Sequence, residues 1–214
     1  MNILSKLIDV ILHLDKYLGV ILTTYGLWTY TILFVVIFLE TGLVFTPFLP
    51  GDSLLFTAGA FAGMGLLNIW ILYIVLVLAA VLGDTANYWI GYYLGAKIFH
   101  ENAKYFKRRH LDETQRYFDK YGSETIILAR FIPIVRTFAP FLAGLGKMSY
   151  WKFLAYNFLG AIAWVALFVF GGFFFGNLKW VQNNFTIVIL IIIVASLIPP
   201  VVQYINVKSK RNKK

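Results

Sequence analysis

Phe45-Thr46-Pro47-Phe48-Leu49-Pro50-Gly51-Asp52-Ser53 is the stretch that decides how this chain folds. It stands between two apolar arms, residues 29–49 and 54–67. Two prolines and a glycine end any helix there, because proline lacks the N–H donor and clashes with the preceding turn. The second arm reaches about 21 Å at 1.5 Å per residue, short of the roughly 30 Å hydrocarbon core of a bilayer. Such a pair of arms predicts a re-entrant helical hairpin that enters and leaves a membrane on one side. A turn at depth is tolerated only where protein or water surrounds it.

Composition puts the rest of the chain in the same setting. Of 214 residues, 60% are hydrophobic and 18% aromatic, and the mean hydropathy is +0.75. Only 14% are charged, against about 25% in an ordinary soluble domain. That much apolar surface calls for lipid as part of the solvent. The formal charge of +9 is concentrated in two places. Lys97, Lys104, Lys107, Arg108, Arg109, Arg116 and Lys120 form one group; Lys208, Lys210, Arg211, Lys213 and Lys214 form the other. Beside apolar segments such groups set membrane orientation, and no nucleic-acid-reading motif accompanies them. The absence of cysteine excludes disulfides, thiolate nucleophiles and cysteine metal sites. His13, His100 and His110 have no ligand spacing, so neither metal nor cofactor is expected.

The chain reads as one all-α integral membrane domain. In residues 1–27, Ile3, Leu4, Leu7, Ile8, Ile11, Leu12 and Leu14 recur at helical spacing among Lys6, Asp9, Asp15 and Lys16. They predict an N-terminal amphipathic helix at an interface, with a poorly anchored first span as the alternative. No cleavage site marks a signal peptide. Residues 28–96 form a first repeat, the hairpin followed by the span 69–95. Residues 97–124 are polar. Residues 125–176 form a second repeat: an apolar run, 125–146, expected to be broken by Pro133 and Pro140, then the span 153–176. Residues 177–207 hold the last span, and 208–214 the basic tail. This amounts to two re-entrant hairpins, about three full transmembrane helices and the N-terminal helix. The positive-inside rule makes 97–124 and the tail cytoplasmic, a parity that holds only if 125–146 is re-entrant. The side of the N-terminus stays open.

The two halves resemble each other. Phe45-Thr46-Pro47-Phe48-Leu49-Pro50-Gly51 and Phe138-Ala139-Pro140-Phe141-Leu142-Ala143-Gly144 agree at five of seven positions. Leu82-Gly83, Ala86 and Gly95 are echoed by Leu159-Gly160, Ala163 and Gly172. The spans that follow run in opposite senses, so the repeats are inverted. Inverted repeats with broken helices are the signature of secondary transporters.

Ionisable groups in apolar segments mark function by default, since each is costly facing lipid. Here they are Glu40, Asp52, Asp84, Arg130 and Arg136. On a straight helix Arg130 and Arg136 point roughly 240° apart; a break at Pro133 lets both face one cavity. Two guanidiniums there suit a phosphate, which they grip bidentately. The alternative is that each pairs with an acid of the first half. Glu40 has no basic neighbour in sequence and is expected to carry a proton, or to form a salt bridge with Arg130 or Arg136, or both in turn. Asp52 reads as a second coupling acid; equally, Asp52 or Ser53 caps the following helix. Asp84, Asn87 and Tyr88 share a face and either line the same cavity or form a polar packing cluster. Ser53 and Thr46 are weaker lining candidates.

These residues also resemble a known family. Phe38-Leu39-Glu40 with Thr46 through Leu55, then Gly83-Asp84, Asn87-Tyr88, Gly91 and Gly95, then Ala129 through Pro140 with Ala143-Gly144, are similar to the three signatures of the DedA family. That family is also called SNARE-associated or VTT-domain. The resemblance covers about residues 25 to 205. It implies a multi-pass protein of the bacterial cytoplasmic (inner) membrane with two re-entrant hairpins. It also implies a role in the cell envelope: recycling undecaprenyl phosphate, the carrier lipid for wall polymers, linked to proton-motive force. On this footing Arg130 and Arg136 bind the phosphate, and Glu40 and Asp52 couple protons. The expected function is a lipid flippase, not an enzyme, whose partners are a polyprenyl phosphate, protons and membrane lipid. A homo-oligomer is left open. The alternatives are a proton-coupled cation antiporter, a phospholipid scramblase or a membrane scaffold.

Overall fold

The computed structural model describes residues 13–43, 51–98 and 124–195; the expectations that fall elsewhere, on Thr46, most of the polar segment and the basic tail, lie outside the described residues. Every regular element among the described residues is a helix: α1 (Leu14–Tyr25), α2 (Trp28–Gly42), α3 (Gly51–Gly63), α4 (Ile69–Ile98), α5 (Glu124–Ala129), α6 (Pro133–Leu145), α7 (Tyr150–Phe175), α8 (Lys179–Asn183) and α9 (Phe185–Ala195).

Lengths sort these helices. α4 has 30 residues and α7 has 26. At 1.5 Å per residue both exceed about 30 Å, enough to cross a bilayer. Each contains a predominantly apolar stretch of spanning length, that of α4 with Asp84 inside it. The third expected span is described only as far as Ala195. By contrast α2 has 15 residues and α3 and α6 have 13 each, roughly 20 Å, too short to cross. α4 explains why water alone is the wrong solvent. Ile71, Ile74, Leu78 and Leu82 make an exposed stripe along one face, while Leu72, Leu76, Ala79 and Ala80 are buried on another. A helix apolar on its inner and outer faces belongs where the outer face meets lipid.

Two expectations about helix ends are corrected. Pro140 does not break its segment: it sits inside α6, which runs without interruption from Pro133 to Leu145. The break lies upstream, between Ala129 and Pro133, where the chain leaves one helix and starts another. Asp52 and Ser53 are not caps either. α3 already includes Gly51, so both stand inside its first turn.

The described residues fall into two compact units. The first gathers α1, α3, α8, α9 and the part of α7 from Phe168 onward. Its core is Leu14, Phe56, Ala60, Val181, Phe185 and Ile189, with the rings of Phe56 and Phe185 6.4 Å apart. α3 and α7 interlock through glycines: a Cβ on Gly59 would strike the Val169 carbonyl, and one on Gly172 would strike the Phe56 carbonyl. The second unit holds α2, α5, α6, α4 from Trp70, and α7 as far as Leu167. There α6 and α4 interlock in the same way, Gly144 on the Tyr88 carbonyl and Gly91 on the Phe141 carbonyl. The correspondence is residue for residue: Phe56 with Phe141, Gly59 with Gly144, Val169 with Tyr88 and Gly172 with Gly91. This register differs from the sequence alignment of Gly51 with Gly144. Among the described residues the internal likeness is carried by these close backbone contacts; residues 45–50 of the first proline motif lie outside them.

Candidate functional site

The second unit contains a buried cluster of charge. Glu40 is 1% exposed, Asp84 and Arg130 2%, and Arg136 5%. Local sequence explains how each arrives. α2 ends against α4 at a pair of glycines: a Cβ on Gly42 would stand 3.3 Å from the Gly83 carbonyl oxygen, and one on Gly83 would meet the Thr41 hydroxyl. That approach brings the end of α2, with Glu40, against the turn of α4 that carries Asp84. The arginines come from the broken helix. Beyond α5 the N–H groups of Arg130, Phe131 and Ile132 donate to carbonyls three residues back, at 3.2, 3.2 and 3.0 Å. Ile132 is extended, as the residue before a proline tends to be. Pro133 then opens α6 at a position where its missing N–H leaves no bond unmade. The break leaves Arg130 in the link and Arg136 in the first turns of α6.

The two guanidiniums meet over one ring. The indole of Trp164, fully buried on α7, has Arg136 4.6 Å and Arg130 5.8 Å from its centroid. Such cation–π contacts hold a desolvated cation without adding negative charge. Arg136 Nη2 donates to Glu40 Oε1 at 2.5 Å. Arg130 Nη2 donates to Asp84 Oδ2 and to Asn157 Oδ1. Asn157 in turn donates from Nδ2 to the Val81 carbonyl at 3.1 Å, which fixes which way its amide faces. α7 packs on the arginine stem at Gly160, where a Cβ would make an ordinary contact with Arg130 Nε at 3.5 Å. Asn87 ties the frame together: its Nδ2 donates to the carbonyls of Thr41 (3.2 Å) and Thr137 (2.7 Å), the residues that follow Glu40 and Arg136. The Thr41 carbonyl is one of the last four of α2 and has no donor within the helix.

Two carboxylates and two guanidiniums balance in charge. In an apolar surrounding, removing one member of such a pair typically costs 3–5 kcal/mol, because the other is left charged and alone. Buried Arg130 Nη1, Asp84 Oδ1 and Asn87 Oδ1 make no hydrogen bond among the described residues. No group of three or more potential metal ligands occurs among the described residues.

The sequence candidates divide. Glu40, Asp84, Arg130 and Arg136 come together with Asn87 beside them, and each arginine contacts an acid of the first half. Tyr88 lies in the same unit but not on the charges. Its hydroxyl donates to the Met148 carbonyl and its ring stacks on Phe153 at 4.6 Å. Asp52 and Ser53 belong to the first unit. Ser53 is buried, and its carbonyl accepts the Thr57 hydroxyl at 2.7 Å. Asn157 and Trp164 went unremarked in the sequence. The available signal was a carboxamide inside an apolar helix, with a tryptophan two turns along the same face.

Comparison with known proteins identifies the family. The VTT domain pattern matches residues 49–174. The chain is 51% identical to Protein DedA of Escherichia coli (strain K12), covering 97% of this chain and 96% of that one. It is 44% identical to a membrane protein of Mycobacterium leprae (strain TN), over 78% and 76% of the two chains. Identity is 34% to the inner membrane protein YqjA of Escherichia coli (strain K12), over 69% and 68%. No solved structure matches. A VTT domain over more than half of the chain, near-full-length identity to DedA and relatives named as membrane proteins make this chain a membrane protein of the DedA family.

Proposed function

We propose that this protein is a flippase for undecaprenyl phosphate or a related polyprenyl phosphate. It returns the carrier lipid across the bacterial cytoplasmic membrane with protons linked to the movement. One observation carries the reading: Arg130 and Arg136, from either side of a helix break, converge on a single buried indole inside an apolar protein. Guanidiniums are the groups best shaped to grip a phosphate. In the resting arrangement Glu40 occupies Arg136 and Asp84 occupies Arg130. A proton on Glu40 releases Arg136 to receive an arriving headgroup. Asp52 is the second coupling acid, acting from its own unit. The isoprenoid tail stays in lipid while the phosphate crosses. Short α2, α3 and α6 act as arms of re-entrant hairpins, and the C-terminus is cytoplasmic. No bond of the lipid is made or broken, and no cofactor takes part.

A second reading draws on the pairing itself. Arginines already matched with acids can be structural, with the acids exchanging a cation for protons. Headgroup translocation in proteoliposomes separates the two readings, using a short-chain polyprenyl phosphate with and without a pH gradient. Wild type moves the lipid, and Arg130→Ala and Arg136→Ala do not. Glu40→Gln keeps downhill movement and loses its response to the gradient. A folded wild type that moves no polyprenyl phosphate sinks the flippase, and cation exchange surviving in the double arginine variant establishes the antiporter.

A further inference from the structure

Arg130 and Asp84 meet through one nitrogen and one oxygen, Nη2 and Oδ2. A guanidinium and a carboxylate often close two parallel hydrogen bonds instead. Here Nη2 is shared with Asn157, whose amide is held by the Val81 carbonyl. The second arm of each ion is left over: Arg130 Nη1 is a buried donor and Asp84 Oδ1 a buried acceptor, and neither is hydrogen-bonded among the described residues. They belong to one ion pair, the second nitrogen of its cation and the second oxygen of its anion. Buried polar groups in native proteins almost always find a partner, so each such atom calls for one.

The leftover pair is selective. A phosphate dianion offers acceptors only, and it meets Asp84 Oδ1 with like charge. A singly protonated phosphate offers both kinds of group. Charge points the same way: with a proton on Glu40, Asp84 leaves one positive charge of Arg130 and Arg136 unbalanced, so a monoanion neutralises the buried cluster and a dianion leaves one charge uncompensated. We propose that this site takes phosphate in its singly protonated form, P–O⁻ accepting from Arg130 Nη1 and P–OH donating to Asp84 Oδ1, so that a proton crosses with the lipid. The inference rests on the phosphate reading above and deepens it. Around Asp84 the charged groups are Arg130 from the α5–α6 link, Arg136 from α6 and, through Arg136, Glu40 from α2. From α7 come Asn157 and Trp164, which do not titrate. Tyr88, one turn along α4, gives its hydroxyl to the Met148 carbonyl.

The test uses the full chain in lipid nanodiscs and calorimetric binding of farnesyl phosphate from pH 5.5 to 8.5. A phosphate monoester loses its second proton near pH 6, so affinity should fall by about tenfold per pH unit above that point. The methyl ester of farnesyl phosphate carries one negative charge at every pH and no P–OH. At pH 5.5 it should bind at least ~10-fold more weakly than farnesyl phosphate, the P–OH being what a site built to accept it requires. Asp84→Asn supplies an N–H in place of the acceptor; it should flatten the pH profile and recover the methyl ester. Inorganic phosphate in the same cell identifies the source: weaker binding than farnesyl phosphate assigns the site to a lipid headgroup, and tighter binding overturns the lipid source. Affinity constant from pH 5.5 to 8.5, or equal binding of the two esters by wild type, overturns the proposal and leaves the flippase standing. No binding of farnesyl phosphate at any pH by folded protein overturns the flippase reading itself. The ester comparison is made on wild type, so it holds even if Asp84→Asn does not fold.

Discussion

α3 against α7 in the first unit and α6 against α4 in the second are two versions of one contact. In both, a short helix and a long one exchange glycines for carbonyls in the same register, Gly59 and Gly172 in one, Gly144 and Gly91 in the other. What surrounds them differs. The first is packed by Leu14, Phe56, Val181, Phe185 and Ile189. The second adjoins two arginines, two carboxylates and two asparagines that are all buried. Bringing two backbones together is therefore separable from the chemistry performed beside them. The fold uses one device twice and, among the described residues, places its buried charges at one copy.

The sharpest way to break this contrast is to remove a charge. Arg130→Ala leaves Asp84 buried without its cation and should cost about 3–5 kcal/mol of stability, read as a lower thermal midpoint in nanodiscs. The double variant Arg130→Met with Asp84→Leu should recover most of that stability and none of the translocation. If the single variant unfolds no earlier than wild type, the pair does not support the fold. Next in size are the glycines. Gly59→Val and Gly144→Val each drive a side chain into a backbone carbonyl and should cost a similar ~1–3 kcal/mol. Among variants that still fold, only Gly144→Val should slow headgroup movement; equal slowing by both would erase the distinction between the two contacts. The asparagines come third. Asn157→Ala exposes Arg130 to a lost acceptor in a buried place and should cost roughly 1–3 kcal/mol. Asn177→Ala, in the first unit, removes an exposed bond to the Gly63 carbonyl and should cost about 0.5–1.5 kcal/mol. The smallest effect is expected from Trp164→Phe. A weaker ring under two guanidiniums should cost roughly 0.5–2 kcal/mol and weaken phosphate binding before it affects folding.

Much of this site was legible in the sequence because charge in an apolar segment is conspicuous. Glu40, Asp84, Arg130 and Arg136 each stand out by the solvation cost of their position, and each is in the cluster. Asn87 stands out by its spacing from Asp84. The rest was hidden for physical reasons. Asn157 and Trp164 are neutral and sit in a helix where an aromatic or an amide is ordinary. Pro140 looked like a breaker, yet a helix can carry a proline when the lost bond falls where other contacts hold the segment. The glycine interlock was not legible, because proline motifs lie in the primary sequence while the interlock depends on which glycine meets which carbonyl. Asp52 illustrates a further limit: a shared motif with Glu40 did not translate into a shared unit.

Trp164 also gives the protein a light source of its own. Of six tryptophans, Trp28, Trp70, Trp151 and Trp180 are 59–76% exposed and Trp89 is partly buried, whereas Trp164 is 0% exposed. Quenchers dissolved in water or attached to lipid tails will silence the outer rings and leave the emission of this one. Its colour and intensity depend on the two cations stacked near it, so drawing either guanidinium away changes the spectrum. Opening of the cluster can thus be followed in the native chain, in real time, without attaching a dye.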